Sequence, residues 1–209
     1  MNKEQLFESG LSLAEEFCAV NAITMPKVIK LFKDHPDSLM RRYYACIGTC
    51  AFYRPTTIHI AVSKCATPGM GGRAWSWPAY AIDRTPYGVI QHELGHHIDH
   101  LKSAPELKDK EDLFSYRIWL QSKEEPLTGY LGTDGESQTY FKEWFAENFR
   151  LFVTNHDLSA RLRPKFHRAL SKELIPISDE DKNFETVLRE LSATDRIIAQ
   201  AWKKVEAAK

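Results

Sequence analysis

A chain of 209 residues, 43% of them hydrophobic, is long enough to bury one sizeable core and too short for two separate catalytic domains, so a single domain over 1–209 is expected. Lysine plus arginine and aspartate plus glutamate each total 28; the formal net charge is zero, and neither nucleic acid nor an anionic membrane is favoured as a partner. The start, Met1-Asn2-Lys3-Glu4-Gln5-Leu6-Phe7-Glu8, lacks a basic, apolar leader pattern, and no apolar run approaches the ~20 residues of a membrane span, so a soluble, cytoplasmic protein is expected.

Residues 3–19 place Leu6, Leu13 and Phe17 among acidic side chains and predict an amphipathic first helix. From Tyr43 to Ser63 the chain turns aromatic and β-branched, interrupted by Arg54-Pro55, which predicts two strands near 44–53 and 57–63, paired as a hairpin. Two of the four cysteines lie among these residues; Cys18, Cys46, Cys50 and Cys65 lack C-x-x-C spacing and are expected to be reduced, mostly buried thiols. The stretch Pro68-Gly69-Met70-Gly71-Gly72 and then Ala74-Trp75-Ser76-Trp77-Pro78 predicts a loop and a short extended segment, without the spacing of a phosphate-binding loop.

Thr85-Pro86 joins a good N-cap to the residue favoured at the first helical position and opens a helix over about 86–102. An exposed connection from Ser103 to Asp112 leads to a short helix over 112–122, which Glu124-Glu125-Pro126 ends. After a polar loop, Thr128 to Gln138, a second strong helix is predicted near 138–154. Pro164 and Pro176 then separate shorter helices, the last over about 193–208. No internal repeat is visible.

The chemistry concentrates in His92-Glu93-Leu94-Gly95-His96. Residues four apart on a helix sit nearly above one another, about 6 Å along the axis, so His92 and His96 can converge on one metal ion. With His92 at zero on the helical wheel, His96 falls near 40° and Glu93 near 100°, while Tyr87, Ile90, Leu94, Ile98 and Leu101 cluster at roughly 160–240°. The helix can bury its apolar back and present the histidines in front, with Glu93 beside them in the position of a general base. His97, near 140°, borders the apolar stripe and reads as a core histidine. His100 lies about 12 Å along the axis from His92, too far to share its ion on a straight helix. Asp99 is either a solvated charge or an acceptor that orients a histidine.

Catalytic zinc takes three protein ligands and leaves one position open, so a further donor is required from another element. Glu143-Trp144-Phe145-Ala146-Glu147 offers one: with Glu143 at zero, Glu147 falls near 40° and Phe141, Phe145, Phe149 and Phe152 at roughly 160–240°. Two helices of the same design can pack so that Glu143 completes the metal shell and Glu147 accepts from the free ring nitrogen of His92. A solvated carboxylate face is the alternative reading of this pair.

The stretch from His92 to about Leu170 resembles the gluzincin metallopeptidases and is most similar to the anthrax lethal factor type of catalytic domain. There H-E-x-x-H is followed by E-F-F-A-E-x-F-R-L, and Glu143-Trp144-Phe145-Ala146-Glu147-Asn148-Phe149-Arg150-Leu151 matches with little change. The resemblance implies Glu143 as a zinc ligand, Glu147 as the residue behind a histidine, and a tyrosine before this helix that donates to the oxyanion. Tyr130-Leu131-Gly132-Thr133-Asp134 fits the family's Y-x-x-T-N, with extra residues before Glu143, and Tyr140 is the alternative. Gly132-Thr133-Asp134 is also similar to the aspzincin G-T-x-D, one position short, which leaves Asp134 as an alternative ligand. Similar segments occur in phage-encoded proteins, and a phage or prophage origin is an expectation of the same kind.

The expected fold is α+β and zincin-like, with a small twisted sheet packed on the metal helix and further helices closing the other side. One Zn2+ per chain and hydrolysis of a protein or peptide substrate are expected, with Glu93 as base and Tyr130 at the oxyanion. Substrate would lie extended beside an edge strand, 57–63 or Trp75–Trp77. The competing expectation is a catalytically silent assembly or binding protein with structural zinc, which a closed four-ligand site would favour.

Overall fold

Two long helices and a small sheet position the candidate metal ligands His92, His96 and Glu143. In the computed structural model, residues 2–47, 50–67, 83–127 and 137–177 are described. Trp75–Trp77, Tyr130, Asp134 and the helix predicted over 193–208 lie outside them.

Helix α1, Lys3–Val20, starts with a reciprocal cap: Asn2 accepts from the backbone of Gln5, whose side chain accepts from the backbone of Asn2. Strand β1, Lys27–Lys30, follows, and then helix α2, Ser38–Cys46. Strands β2, Ala51–Arg54, and β3, Thr57–Ile60, form an antiparallel hairpin pairing Ala51 with Ile60 and Arg54 with Thr57. β1 adds to β3 in parallel, Lys27 opposite Thr57, so the order is β1-β3-β2. The arrangement is α+β.

The hairpin therefore exists as expected, but two details differ. The strand predicted near 44–53 begins only at Ala51, because the Asp37 carboxylate accepts from Leu39 N at 2.7 Å and nucleates α2 through Tyr43 and Tyr44. β3 stops at Ile60, since Val62–Lys64 turns into a short 3-10 helix. Residues 57–63 also cannot offer an edge: β3 is central, flanked by β1 and β2. Among the described strands β2 is an edge, and it packs against the next long helix.

That helix, α3, spans Pro86–Lys102 with Thr85 as N-cap and proline at its start. The Thr85 hydroxyl makes no capping bond, so proline's preset φ carries the initiation signal. Helix α4 covers Phe114–Ser122, after a 3-10 turn at Lys110–Asp112. Helix α5 covers Gln138–Thr154, capped by Ser137, which accepts from Tyr140 N at 3.1 Å. Two short helices, α6 at His156–Leu162 and α7 at Pro164–Leu170, complete the described chain, separated where Pro164 requires. No helix among the described residues is long and apolar enough to cross a membrane.

The apolar backs of α3 and α5 meet α1 and the sheet. Ile90, Leu94, Ile98, Phe141, Phe145, Phe149 and Phe152 are all buried, and Phe17 of α1 packs edge-on against Phe149 at 5.3 Å between ring centres. Each such side chain contributes roughly 1.5–3 kcal/mol by burial. Leu101, assigned to the same stripe, is exposed because the stripe has run past the core by the last turn.

α3 and α5 approach closely at Gly95. A Cβ there would sit 2.9 Å from Ala146 Cα and 3.2 Å from the Phe149 ring, so a backbone, not a yielding side-chain tip, blocks it. Glycine costs its helix about 1 kcal/mol relative to alanine, yet it lets the histidine helix and the Glu143 helix approach. Gly95→Ala should destabilise the protein on balance, by up to about 2 kcal/mol after overpacking of ~1–3 kcal/mol is set against the helix gain. Chemical denaturation of the two proteins measures this; equal or higher stability in the variant would remove the close approach as a constraint.

Candidate metal centre

The His92 Nε2 and His96 Nε2 atoms lie 3.2 Å apart, and both face Glu143, at 3.2 Å from its Oε2 and 3.5 Å from its Oε1 respectively. One donor atom from each residue falls within 4.8 Å of the others. Two ligands bound tetrahedrally to one ion at ~2.1 Å are about 3.4 Å apart, so this spacing fits a metal. The donor set, two imidazoles and a carboxylate, suits zinc among other divalent ions. These three residues form the metal-capable group found among the described residues. The i, i+4 pair on α3 and the close crossing at Gly95 produce the convergence.

Glu147, one turn after Glu143, is buried, with its Oε1 2.8 Å from His92 Nδ1. A carboxylate there accepts the Nδ1–H and leaves the Nε2 lone pair for the metal. Glu147 also accepts from Arg150 Nη2. Arg150, buried on the same face of α5, was not singled out from sequence, although it falls near −20° on the wheel that put Glu143 at zero. That placement was the available signal.

Glu93 is buried and lines the same cleft as His92, His96 and Glu143. Burial pushes its carboxyl above the ordinary range, against the opposing charges of His92 and His96. Tyr140 is half-buried, packed edge-on against Phe141 at 5.3 Å, and is not among the described residues that line the cleft.

The remaining α3 candidates serve the fold. His97 is buried between Tyr53 Oη, 3.0 Å from its Nδ1, and the Thr24 carbonyl, 2.9 Å from its Nε2, and so ties α3 to β2. His100 is exposed. Asp99 is neither a solvated charge nor a histidine's hydrogen-bond partner: buried, it accepts from Ser115 N at 2.6 Å and caps α4.

Electrostatics tie the ligands together. Burial alone would lower the His92 pKa, but hydrogen bonds from Glu143 and Glu147 outweigh it and raise the pKa from 6.5 to about 10. Burial would raise Glu143, and the bonds from His92 and His96 instead hold it well below the carboxylate range. The raised His92 pKa stabilises the metal-free fold fully below 6.5, and this contribution is lost as pH rises through about 10. A metal must displace the His92 proton, so affinity should rise with pH between these values, and binding at neutral pH should release about one proton from this site. Calorimetric titration of zinc in buffers of different ionisation enthalpy counts that proton; zero release at pH 7 would contradict the assignment.

Comparison of the chain with protein-family models, with curated proteins and with solved structures found no match.

Proposed function

We propose that this chain is a zinc-dependent endopeptidase of gluzincin character on a zincin-like fold. The observation that carries the proposal is the meeting of His92, His96 and Glu143 donors within 4.8 Å, in a cleft that Glu93 also lines. Zinc held there supplies Lewis-acid polarisation of the scissile carbonyl and lowers the pKa of water. Glu93 takes the proton of the attacking water and returns it to the leaving amine, a task suited to a carboxylate whose pKa burial has raised. Glu147 holds the His92 ring in orientation. Tyr130 is the proposed donor to the oxyanion of the tetrahedral adduct.

β2, an edge among the described strands, favours an extended substrate: Ala51, Phe52 and Tyr53 line the cleft together with the metal-site residues, and a peptide paired to β2 would run across it. The non-catalytic reading needs a closed site, whereas the described donors number three and a carboxylate of the general-base type stands beside them.

The test is a cleavage-site profile on a proteome-derived peptide library, with Glu93→Gln as the blank. New termini in the wild type only, suppressed by a chelator and restored by zinc, are expected. A wild-type profile identical to the blank would overturn the peptidase proposal.

A further inference from the structure

The rim of the cleft carries lysines whose charge is not matched by carboxylates. Lys3 in the first turn of α1, Lys64 in the 3-10 turn after β3 and Lys142 on α5 all line it, together with His92, Glu93 and His96. Lys3 Nζ donates to the Ser63 carbonyl at 2.8 Å. Lys64 Nζ donates to the carbonyls of Tyr44 and Ile47, the latter at 3.1 Å, and lies 4.5 Å from the centre of the Tyr44 ring. These partners are neutral, so they hold the two ammonium groups in place without cancelling them, and donors remain free on each. Among the described residues, none of the three lysines is in an ion pair with a carboxylate.

The carboxylates of the same cleft are already engaged. Glu143 faces His92 and His96, Glu147 is bonded to His92 and Arg150, and Asp99 accepts from Ser115 N–H. Glu93 is buried, whereas Lys64 is exposed and Lys3 and Lys142 are half-buried. An entering ligand therefore meets positive charge first. We propose that the cleft selects acidic peptide segments and that Lys3, Lys64 and Lys142 set this preference; the inference rests on the peptidase reading and names its substrate class.

The lysines stand where an extended peptide would pass. Ala61 N–H donates to the Cys50 carbonyl at 2.8 Å, so the turn that carries Lys64, with Lys3 bonded to it at Ser63, leaves the hairpin at the Ala51 end of β2. Lys142 immediately precedes Glu143 on α5. A peptide paired to β2 thus passes two ammonium groups at one end of the strand and a third beside the metal-site residues. Exposed ion pairs each contribute a factor of roughly 1.5–5, so three together give a preference of about tenfold, which salt weakens.

The experiment measures binding without turnover. Two fluorescein-labelled peptides share one central sequence, flanked by glutamates in one and by glutamines in the other, and are titrated with the zinc-loaded Glu93→Gln protein. The acidic peptide should bind about tenfold tighter, and rising salt should narrow the gap. Lys3→Glu and Lys142→Glu should each reduce the advantage and together abolish it, while Lys33→Glu, at an exposed lysine outside the cleft lining, should leave it unchanged. Both cleft substitutions place a good helix former in a helix, and the single variants decide should the double one not fold. Lys64 is kept, since it also holds the end of α2. Equal affinity for the two peptides would overturn the proposal. So would a preference that survives both reversals, because the metal ion alone would then be capturing the carboxylates. Cleavage of peptides with no acidic bias would leave the peptidase reading standing and sink this one, whereas lysine-dependent binding without any cleavage would do the reverse.

Discussion

Glu143→Ala should lose most of the metal affinity, and Glu147→Ala only about 10–100-fold, although the two carboxylates stand one turn apart on the same face of α5. The difference rests on what each oxygen touches. Both Glu143 oxygens face imidazole Nε2 atoms across the width of one ion, whereas Glu147 Oε1 lies behind His92, against Nδ1. Glu147→Ala has a second consequence, because Arg150 loses its buried carboxylate partner, and breaking such a pair costs about 3–5 kcal/mol. Glu147→Gln separates the effects, since its amide oxygen can still accept from His92 without the charge. Zinc titrations against a competing chelator, on folded protein at one pH, rank the variants. Greater damage from Glu147→Gln than from Glu143→Gln would exchange the two roles.

Glu93→Gln should lower turnover by at least about 10²–10⁴-fold, the range that general acid–base catalysis contributes, while zinc content stays unchanged. The substitution keeps the shape of a buried side chain and removes a charge whose burial is already unfavourable, so the fold should be at least as stable. Hydrolysis rates on a peptide found in the cleavage profile, with zinc measured on the same samples, check both halves. Retained turnover would remove Glu93 from the mechanism, and lost zinc would give it a different role.

The two helices that build the site were legible because each carries its period and its punctuation in the chain. Thr85-Pro86 marks the start of α3 and the polar loop up to Gln138 that of α5, and the aliphatic stripe of α3 and the phenylalanines of α5 fix which faces turn inward. The spacing of His92 and His96 marks the pair on α3, whereas the choice of Glu143 over a solvated carboxylate face or Asp134 also drew on the resemblance. The sheet was less legible because its strands are four residues each, too short for alternation to separate β1 from loop or to outweigh the Asp37 cap that makes α2 helical. Asp99 was ambiguous for another reason: its acceptor role depends on the backbone of Ser115, which only tertiary packing brings within 2.6 Å.

The central claim is a single ion held by His92, His96 and Glu143, and zinc K-edge X-ray absorption with elemental analysis on the purified chain tests it most directly. The account predicts about one zinc per chain, with nitrogen and oxygen neighbours at ~2.0–2.2 Å, imidazole scattering from two rings and no sulfur neighbour. Zinc well below one per chain after equilibration, or sulfur at ~2.3 Å in its shell, would contradict it.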